Sequence, residues 1–288
     1  MKPQVTLFLL RVFVTTMLSR AHIILSHMKQ STRNRNDLRA RLFTDMSPTS
    51  HENVETIFDF ELPEGRCIGV RLNELNEEQI LQNWSDPDHF VRSSLHPDEV
   101  EFSIENSIAF RRSFLVGRLA MRASLQDQRH KPCLKDRHGR PTLPEGYVGS
   151  ISHKGSVGVA LSRNSDIMTV GVDIERLLPR KRSVAKRILT KEERNGLGSL
   201  EVVDISADQE VMLRFSLKEA IYKAVHPIIN HYVGFQEAEV TPFKNGTAVV
   251  HWRLDRDTDM GQVGTVTAHW KKLEEYFLTS ASCSPKAG

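Results

Sequence analysis

Helix-like and strand-like stretches succeed one another irregularly along this 288-residue chain, and that irregularity constrains its fold more than any other feature. A parallel sheet needs strands and crossover helices in regular alternation, whereas here several strand-like runs follow each other with only turn-like residues between them. Cys67 to Leu72 forms a short β-like run that leads into an amphipathic segment with Leu75, Ile80, Leu81 and Trp84. Ile108, Phe114, Leu115, Leu119 and Leu125 recur near helical spacing and predict a long helix from Ile104 to Leu125, decorated by Arg111, Arg112, Arg118 and Arg122. Lys131 to Gly149 is dense in Pro and Gly and reads as loop. Beyond it, β-like runs are predicted at Gly149–Ser152, Val157–Leu161 and Met168–Ile174, and helices at about Ser183–Leu197 and Asp208–Val225. The tail carries β-like pieces at Ala238–Thr241, Thr247–Leu254 and Val263–Trp270. Elements mixed in this way predict an α+β fold with antiparallel strands.

The formal charge of +3 is unevenly distributed. Residues 1–36 hold Lys2, Arg11, Arg20, Lys29, Arg33 and Arg35 and no acid, and the rest of the chain has 33 basic against 36 acidic residues. The basic excess therefore belongs to the amino-terminal arm, and a protein-wide attraction to nucleic acid is not expected. Val5 to Leu18 is apolar, but Arg11 interrupts it and it is shorter than the ~20 residues of a membrane span, so no stable span is expected. An Arg-rich, acid-free arm fits a targeting presequence or a plain extension, and residues 1–54 are read as lying outside the fold. Cys67, Cys133 and Cys283 are too few and too scattered for a zinc site or a disulfide framework. They point to a reducing compartment, cytoplasm or organelle matrix, rather than to secretion.

Three constellations carry possible chemistry. In Gly171-Val172-Asp173-Ile174-Glu175 the two carboxylates stand at i and i+2, so on a strand they project from one face. That arrangement suits either a solvated strand end or a hard cation such as magnesium, which takes one or two carboxylates and completes its shell with water and phosphate oxygens. In Phe215-Ser216-Leu217-Lys218-Glu219-Ala220-Ile221-Tyr222-Lys223-Ala224, Glu219 and Lys223 share a helix face. Standing alone, they read as an exposed ion pair; facing Asp173 and Glu175, they add a third carboxylate and a positive charge for phosphate oxygens. Gly139-Arg140-Pro141, followed by Gly149-Ser150-Ile151-Ser152-His153-Lys154-Gly155, offers a close backbone approach with an arginine and a histidine as donors. Neither a Gly-x-Ser-x-Gly elbow nor a Walker phosphate loop occurs there.

These pieces, with Arg111-Arg112-Ser113-Phe114-Leu115-Val116-Gly117-Arg118 before them and Tyr232 to Val240 after, resemble the phosphopantetheinyl transferase family, closest to its enterobactin-synthesis type. The resemblance covers roughly residues 95 to 250. It implies a monomer of two similar halves, residues 55–165 and 166–288, each a small antiparallel sheet packed with a long helix, with a ligand cleft between them. It further implies magnesium held by Asp173, Glu175 and Glu219, coenzyme A as substrate, and an acyl or peptidyl carrier protein as partner. By the same resemblance Glu219 is the base toward the incoming serine and Lys223 contacts the phosphate where charge develops. Arg112, Arg118, Lys135, Arg140, Ser152, His153 and Lys218 are implied to contact coenzyme A, mostly at its phosphates. Some relatives carry lysines just upstream of the first arginine motif, where this chain has the acidic run Pro97-Asp98-Glu99-Val100-Glu101-Phe102. Two other functions stay open at this level: a magnesium-dependent phosphohydrolase using water as nucleophile, and a catalytically silent module that binds coenzyme A or the carrier.

Overall fold

The computed structural model of the protein describes residues 53–86, 88–125, 131–165, 167–177, 184–199, 205–254 and 260–286. The amino-terminal arm, read above as an extension or presequence, lies outside the described residues as far as residue 52. The first half opens with strands β1 (Val54–Leu62) and β2 (Gly65–Leu72), followed by the short helices α1 (Glu77–Leu81), α2 (Phe90–Ser94) and α3 (Pro97–Ile104). Helix α4 (Ile108–Ser124) then leads, past the loop, to β3 (Tyr147–Lys154) and β4 (Val157–Asn164). These strands form an antiparallel sheet in the order β1-β2-β4-β3. The second half comprises β5 (Thr169–Arg176), the short helices α5 (Ala185–Ile188) and α6 (Lys191–Asn195), the long helix α7 (Ala207–Ile229), and then β6 (Ala238–Pro242), β7 (Thr247–Trp252), β8 (Val263–Lys272) and β9 (Tyr276–Pro285). Its sheet is also antiparallel, in the order β5-β9-β8-β7-β6. No helix among the described residues is long and apolar enough to cross a membrane.

Local capping chemistry explains where the predicted helices break. The single helix expected from Ile104 is two, because the Ser107 hydroxyl accepts the Phe110 amide and starts α4 afresh. Helix α3 begins independently at Pro97, with a capping box between His96 and Glu99. Likewise the stretch expected as one helix over 183–197 divides at Thr190, whose hydroxyl and the Glu193 carboxylate form a capping box for α6. The capping box of Ser206 and Gln209 starts α7, and Asn230, left-handed at φ 54°, closes it.

Four layers result, with α4 outside the first sheet, α7 outside the second, and the two sheets face to face between them. Strand alternation sorts the side chains. Val157, Val159 and Leu161 of β4 meet Val170, Val172 and Ile174 of β5 and Tyr276 and Leu278 of β9 in the core between the sheets. The opposite face of the second sheet sends Phe277, Ala281 and Cys283 toward Leu213, Leu217, Ala220 and Ala224 of α7. Each long helix approaches its sheet over a glycine. A Cβ at Gly158 would collide with the Val116 backbone of α4, and one at Gly171 with the Ala220 carbonyl and Ala224 amide of α7. The turn between β1 and β2 locks onto the second sheet through Glu64, fully buried, which accepts hydrogen bonds from His269 (2.5 Å) and Ser280 (2.8 Å).

Candidate active site

Gly171, Asp173 and Glu175 alternate onto the α7 face of β5, while Val170, Val172 and Ile174 fill the core behind them. Because Gly171 lets α7 come close, Lys223 reaches the strand. Its ammonium donates to Asp173 Oδ1 at 2.9 Å and to the Val172 carbonyl at 3.0 Å. Asp173 itself is buried and receives two further donors, the Ser152 hydroxyl on Oδ1 at 2.7 Å and the Ser216 hydroxyl on Oδ2 at 2.8 Å. One carboxylate thus joins β3, β5 and α7. Ser150, two residues before Ser152, accepts the Val172 amide at 3.1 Å and fastens β3 alongside β5.

Further charged groups flank this carboxylate. Lys154 Nζ stands 2.5 Å from Oε2 of the buried Glu175. The pKa of His153, which precedes Lys154 on β3, falls below the ordinary 6.5 through burial and through the charges of Lys223 and Lys135; Asp173 opposes that shift and Lys154 adds to it. Lys135, whose ammonium lies 4.9 Å from the Phe110 ring, is likewise pushed down, by burial and by Arg118. Arg140 is held at the loop tip by Asp136, Nε to Oδ2 at 2.7 Å, and reaches Asn230 Oδ1 at the end of α7 at 3.5 Å. Burial raises the Asp136 carboxyl, but hydrogen bonds from the Arg140 side chain and from the Arg140 and His138 amides, together with the arginine's charge, outweigh it and hold the group down to about 2.

Glu219 is half-buried on α7, one turn from Ser216 and one from Lys223, the two helix residues that touch Asp173. On its other flank it lines a groove with Tyr222, Tyr232, Val233, Phe235 and Trp252.

Several residues assigned to coenzyme A by resemblance are engaged elsewhere. Lys218 is 3% exposed, and its three N–H groups go to the Ile188 carbonyl (2.9 Å), Glu193 Oε2 (2.5 Å) and the Phe235 carbonyl (2.9 Å). No hydrogen remains for a phosphate, so Lys218 leaves the coenzyme-contacting set. Ser152 gives its only hydrogen to Asp173 and serves that carboxylate instead. Arg112 pairs with Glu77 at 2.5 Å. Arg118 is buried with Nε on the Cys133 carbonyl and its guanidinium 4.2 Å from the Phe114 ring, while its Nη2 has no partner among the described residues. Conversely, Lys154, Ser216 and Thr279 join the site beyond the residues expected from sequence; strand and helix register place the first two on the site's face, whereas Thr279 belongs to β9, where the sequence carries no clear strand signal.

The donor set fits magnesium in kind: hard carboxylate oxygens of Asp173 and Glu175 on one strand face, each already holding an ammonium against it. Among the described residues no group of three or more His, Cys, Asp or Glu stands together as a metal-holding cluster. Two carboxylates with the balance from water and phosphate is the arrangement magnesium ordinarily takes.

Comparison with known proteins follows the two halves. Residues 169–278 match the 4'-phosphopantetheinyl transferase superfamily, and residues 99–162 match the 4'-phosphopantetheinyl transferase N-terminal domain. The chain is 31% identical over 173 residues to enterobactin synthase component D of Salmonella typhi, covering 58% of this chain and 70% of that protein. To the 4'-phosphopantetheinyl transferase Svp of Streptomyces mobaraensis it is 35% identical over 112 residues, 38% of this chain and 44% of Svp. The chain therefore spans less than half of Svp's length. A holo-(acyl-carrier-protein) synthase structure from Bacillus anthracis, in complex with CoA (3',5'-ADP), aligns over 42% of this chain and 100% of that one, at 24% identity and a TM-score of 0.32.

Proposed function

Because the chain belongs to the 4'-phosphopantetheinyl transferase family, we propose that it moves the phosphopantetheine arm of coenzyme A onto a serine of an acyl or peptidyl carrier protein, releasing adenosine 3',5'-bisphosphate. The observation that carries the reading is the convergence on Asp173 of Lys223 from α7 and Ser152 from β3, with Glu219 one helical turn away. A solvated strand end or an exposed helix ion pair would have no need of a buried carboxylate with three donors.

The serine hydroxyl attacks the β-phosphorus of coenzyme A, forming one P–O bond as the bond to the adenosine bisphosphate breaks. Such a transfer depends on alignment and on neutralising charge at the phosphoryl oxygens. Lys223 uses two N–H groups on Asp173 and Val172, which leaves a third for the phosphoryl oxygen or leaving group. Glu219 takes the serine proton, and its place beside the groove lined by Tyr222, Tyr232 and Trp252 gives that serine a path of approach. His153, Lys135, Lys154 and Arg140 gather the non-reacting phosphates at the junction of the halves 55–165 and 166–288. Asp173 and Glu175 would hold magnesium, which would supply charge neutralisation for the pyrophosphate.

Incubation with magnesium, coenzyme A and an apo carrier domain, followed by mass spectrometry of the carrier, tests the reading. The expected result is addition of one phosphopantetheine arm at the carrier serine. Phosphate release without carrier modification would instead show a phosphohydrolase, and binding without turnover a silent module.

A further inference from the structure

Asp173 and Thr279 stand directly opposite each other in the antiparallel pair β5–β9, so their side chains share the α7 face of the sheet. Ser216 descends onto both from α7. Its hydroxyl lies 2.8 Å from Asp173 Oδ2 and 2.9 Å from Thr279 Oγ1, and Thr279 Oγ1 is also 2.9 Å from the Ser216 carbonyl. Ser216 and Thr279 are both fully buried, in a layer otherwise packed by Leu213, Leu217 and Phe277. Two hydroxyls placed in an apolar layer need a reason, since each must be satisfied inside it.

Counting hydrogens gives that reason. An ionised carboxylate only accepts, so the single hydrogen of Ser216 is directed to Asp173. The Ser216 oxygen is then left as an acceptor, and Thr279 can donate to it or to the Ser216 carbonyl. When Thr279 turns its one hydrogen from the Ser216 carbonyl to the Ser216 hydroxyl, donation runs Thr279, Ser216, Asp173, and each bond polarises the next. On the other oxygen act Ser152 and Lys223, of which Lys223 is a quarter exposed. Ser216 is the donor that approaches Oδ2 from the closed, apolar side. With it in place the carboxylate plane is fixed; without it, Asp173 can rotate about its Cβ–Cγ bond toward whichever of Ser152 or Lys223 it meets.

We propose that Ser216, backed by Thr279, is a positioning residue that holds the Asp173 carboxylate in the orientation its work on a divalent cation and the pyrophosphate requires. The proposal rests on the reading of Asp173 given above.

The test uses Mn2+ as the probe, titrated into the full chain with coenzyme A present and followed by its EPR signal, alongside steady-state transfer kinetics. Ser216→Ala should weaken Mn2+ binding about tenfold, the order of one lost hydrogen bond to a charged group. It should raise the cation concentration for half-maximal transfer by the same factor, with KM for coenzyme A within about twofold of wild type at saturating cation. Ser216→Thr keeps the hydroxyl and should restore the affinity. Should Ser216→Ala fail to fold, Thr279→Val removes only the outer donor at nearly constant volume and should weaken Mn2+ binding about threefold, a smaller step in the same direction. Folded variants that bind Mn2+ as tightly as wild type would overturn the positioning role while leaving the transferase reading intact. A wild-type protein that binds no Mn2+ with coenzyme A present would overturn both.

Discussion

Replacing Lys218 by Met separates a structural lysine from a ligand-binding one. Lys218 is 3% exposed and bridges α5, α7 and the turn before β6 through the Ile188 carbonyl, Glu193 and the Phe235 carbonyl. Burial lowers its pKa, and Glu193 acts in the opposite sense. Glu193 is itself 3% exposed; apart from Lys218 it keeps the Thr190 amide at 2.8 Å, the Val240 amide at 2.8 Å and Arg214 at 3.6 Å. Methionine fills the lysine stem but leaves that carboxylate short of its nearest cation and takes a donor from the buried Ile188 carbonyl and the part-buried Phe235 carbonyl. Breaking a buried pair in this way costs about 3–5 kcal/mol. At ~2–4 °C per kcal/mol for a fold of this size, the melting temperature should fall by about 10 °C. Differential scanning fluorimetry reads the shift, and transfer kinetics well below the new melting temperature should give a KM for coenzyme A within about twofold of wild type. A melting temperature unchanged within ~2 °C together with a tenfold rise in KM would refute the argument and return Lys218 to the coenzyme site.

Gly171→Ala should destabilise the protein by about 1–3 kcal/mol, since the new methyl meets the α7 backbone at Ala220 and Ala224. It should also lower kcat more than Gly158→Ala does, because only α7 carries Lys223; equal kcat losses in the two variants, measured at matched folded fraction, would contradict this. For His153, a free-state pKa held below 6.5 by burial and neighbouring lysines should rise when a phosphate pairs with it. Binding then takes up a proton, so coenzyme A affinity tightens as pH falls from the raised bound-state pKa to the free-state pKa below 6.5, and levels off beneath it. Isothermal titration of coenzyme A into wild type and His153→Ala at several pH values checks the sign; identical pH dependence in both would remove His153 from the phosphate site.

Much of the site was legible because its logic is local. Strand alternation alone puts Asp173 and Glu175 on one face, and helical spacing alone puts Glu219 near Lys223; neither statement needs a partner element. The long helices were visible for the same reason, although their breaks at Ser107 and Thr190 depended on caps whose geometry a periodicity count passes over. Strand β9 was missed because Leu278-Thr279-Ser280-Ala281-Ser282-Cys283 lacks apolar contrast, yet it sits between β5 and β8 with its residues buried on both faces. Small residues suffice there because the core closes on them from two sides, and that enclosure is a property of the assembled layers.

Sequence by itself therefore determined which residues could act together within one strand or one helix, and the α+β class that follows from the order of elements. Only tertiary structure decided which of two neighbouring lysines faces the carboxylate. Lys218 and Lys223 are five apart on α7, about 140° around the helix axis. The close approach at Gly171 turns the Lys223 side toward Asp173, which leaves Lys218 to be saturated by Glu193 and two backbone carbonyls. Helical periodicity separates the two lysines, but the choice between them belongs to the long-range contact of α7 with β5, where backbone crowding admits one orientation.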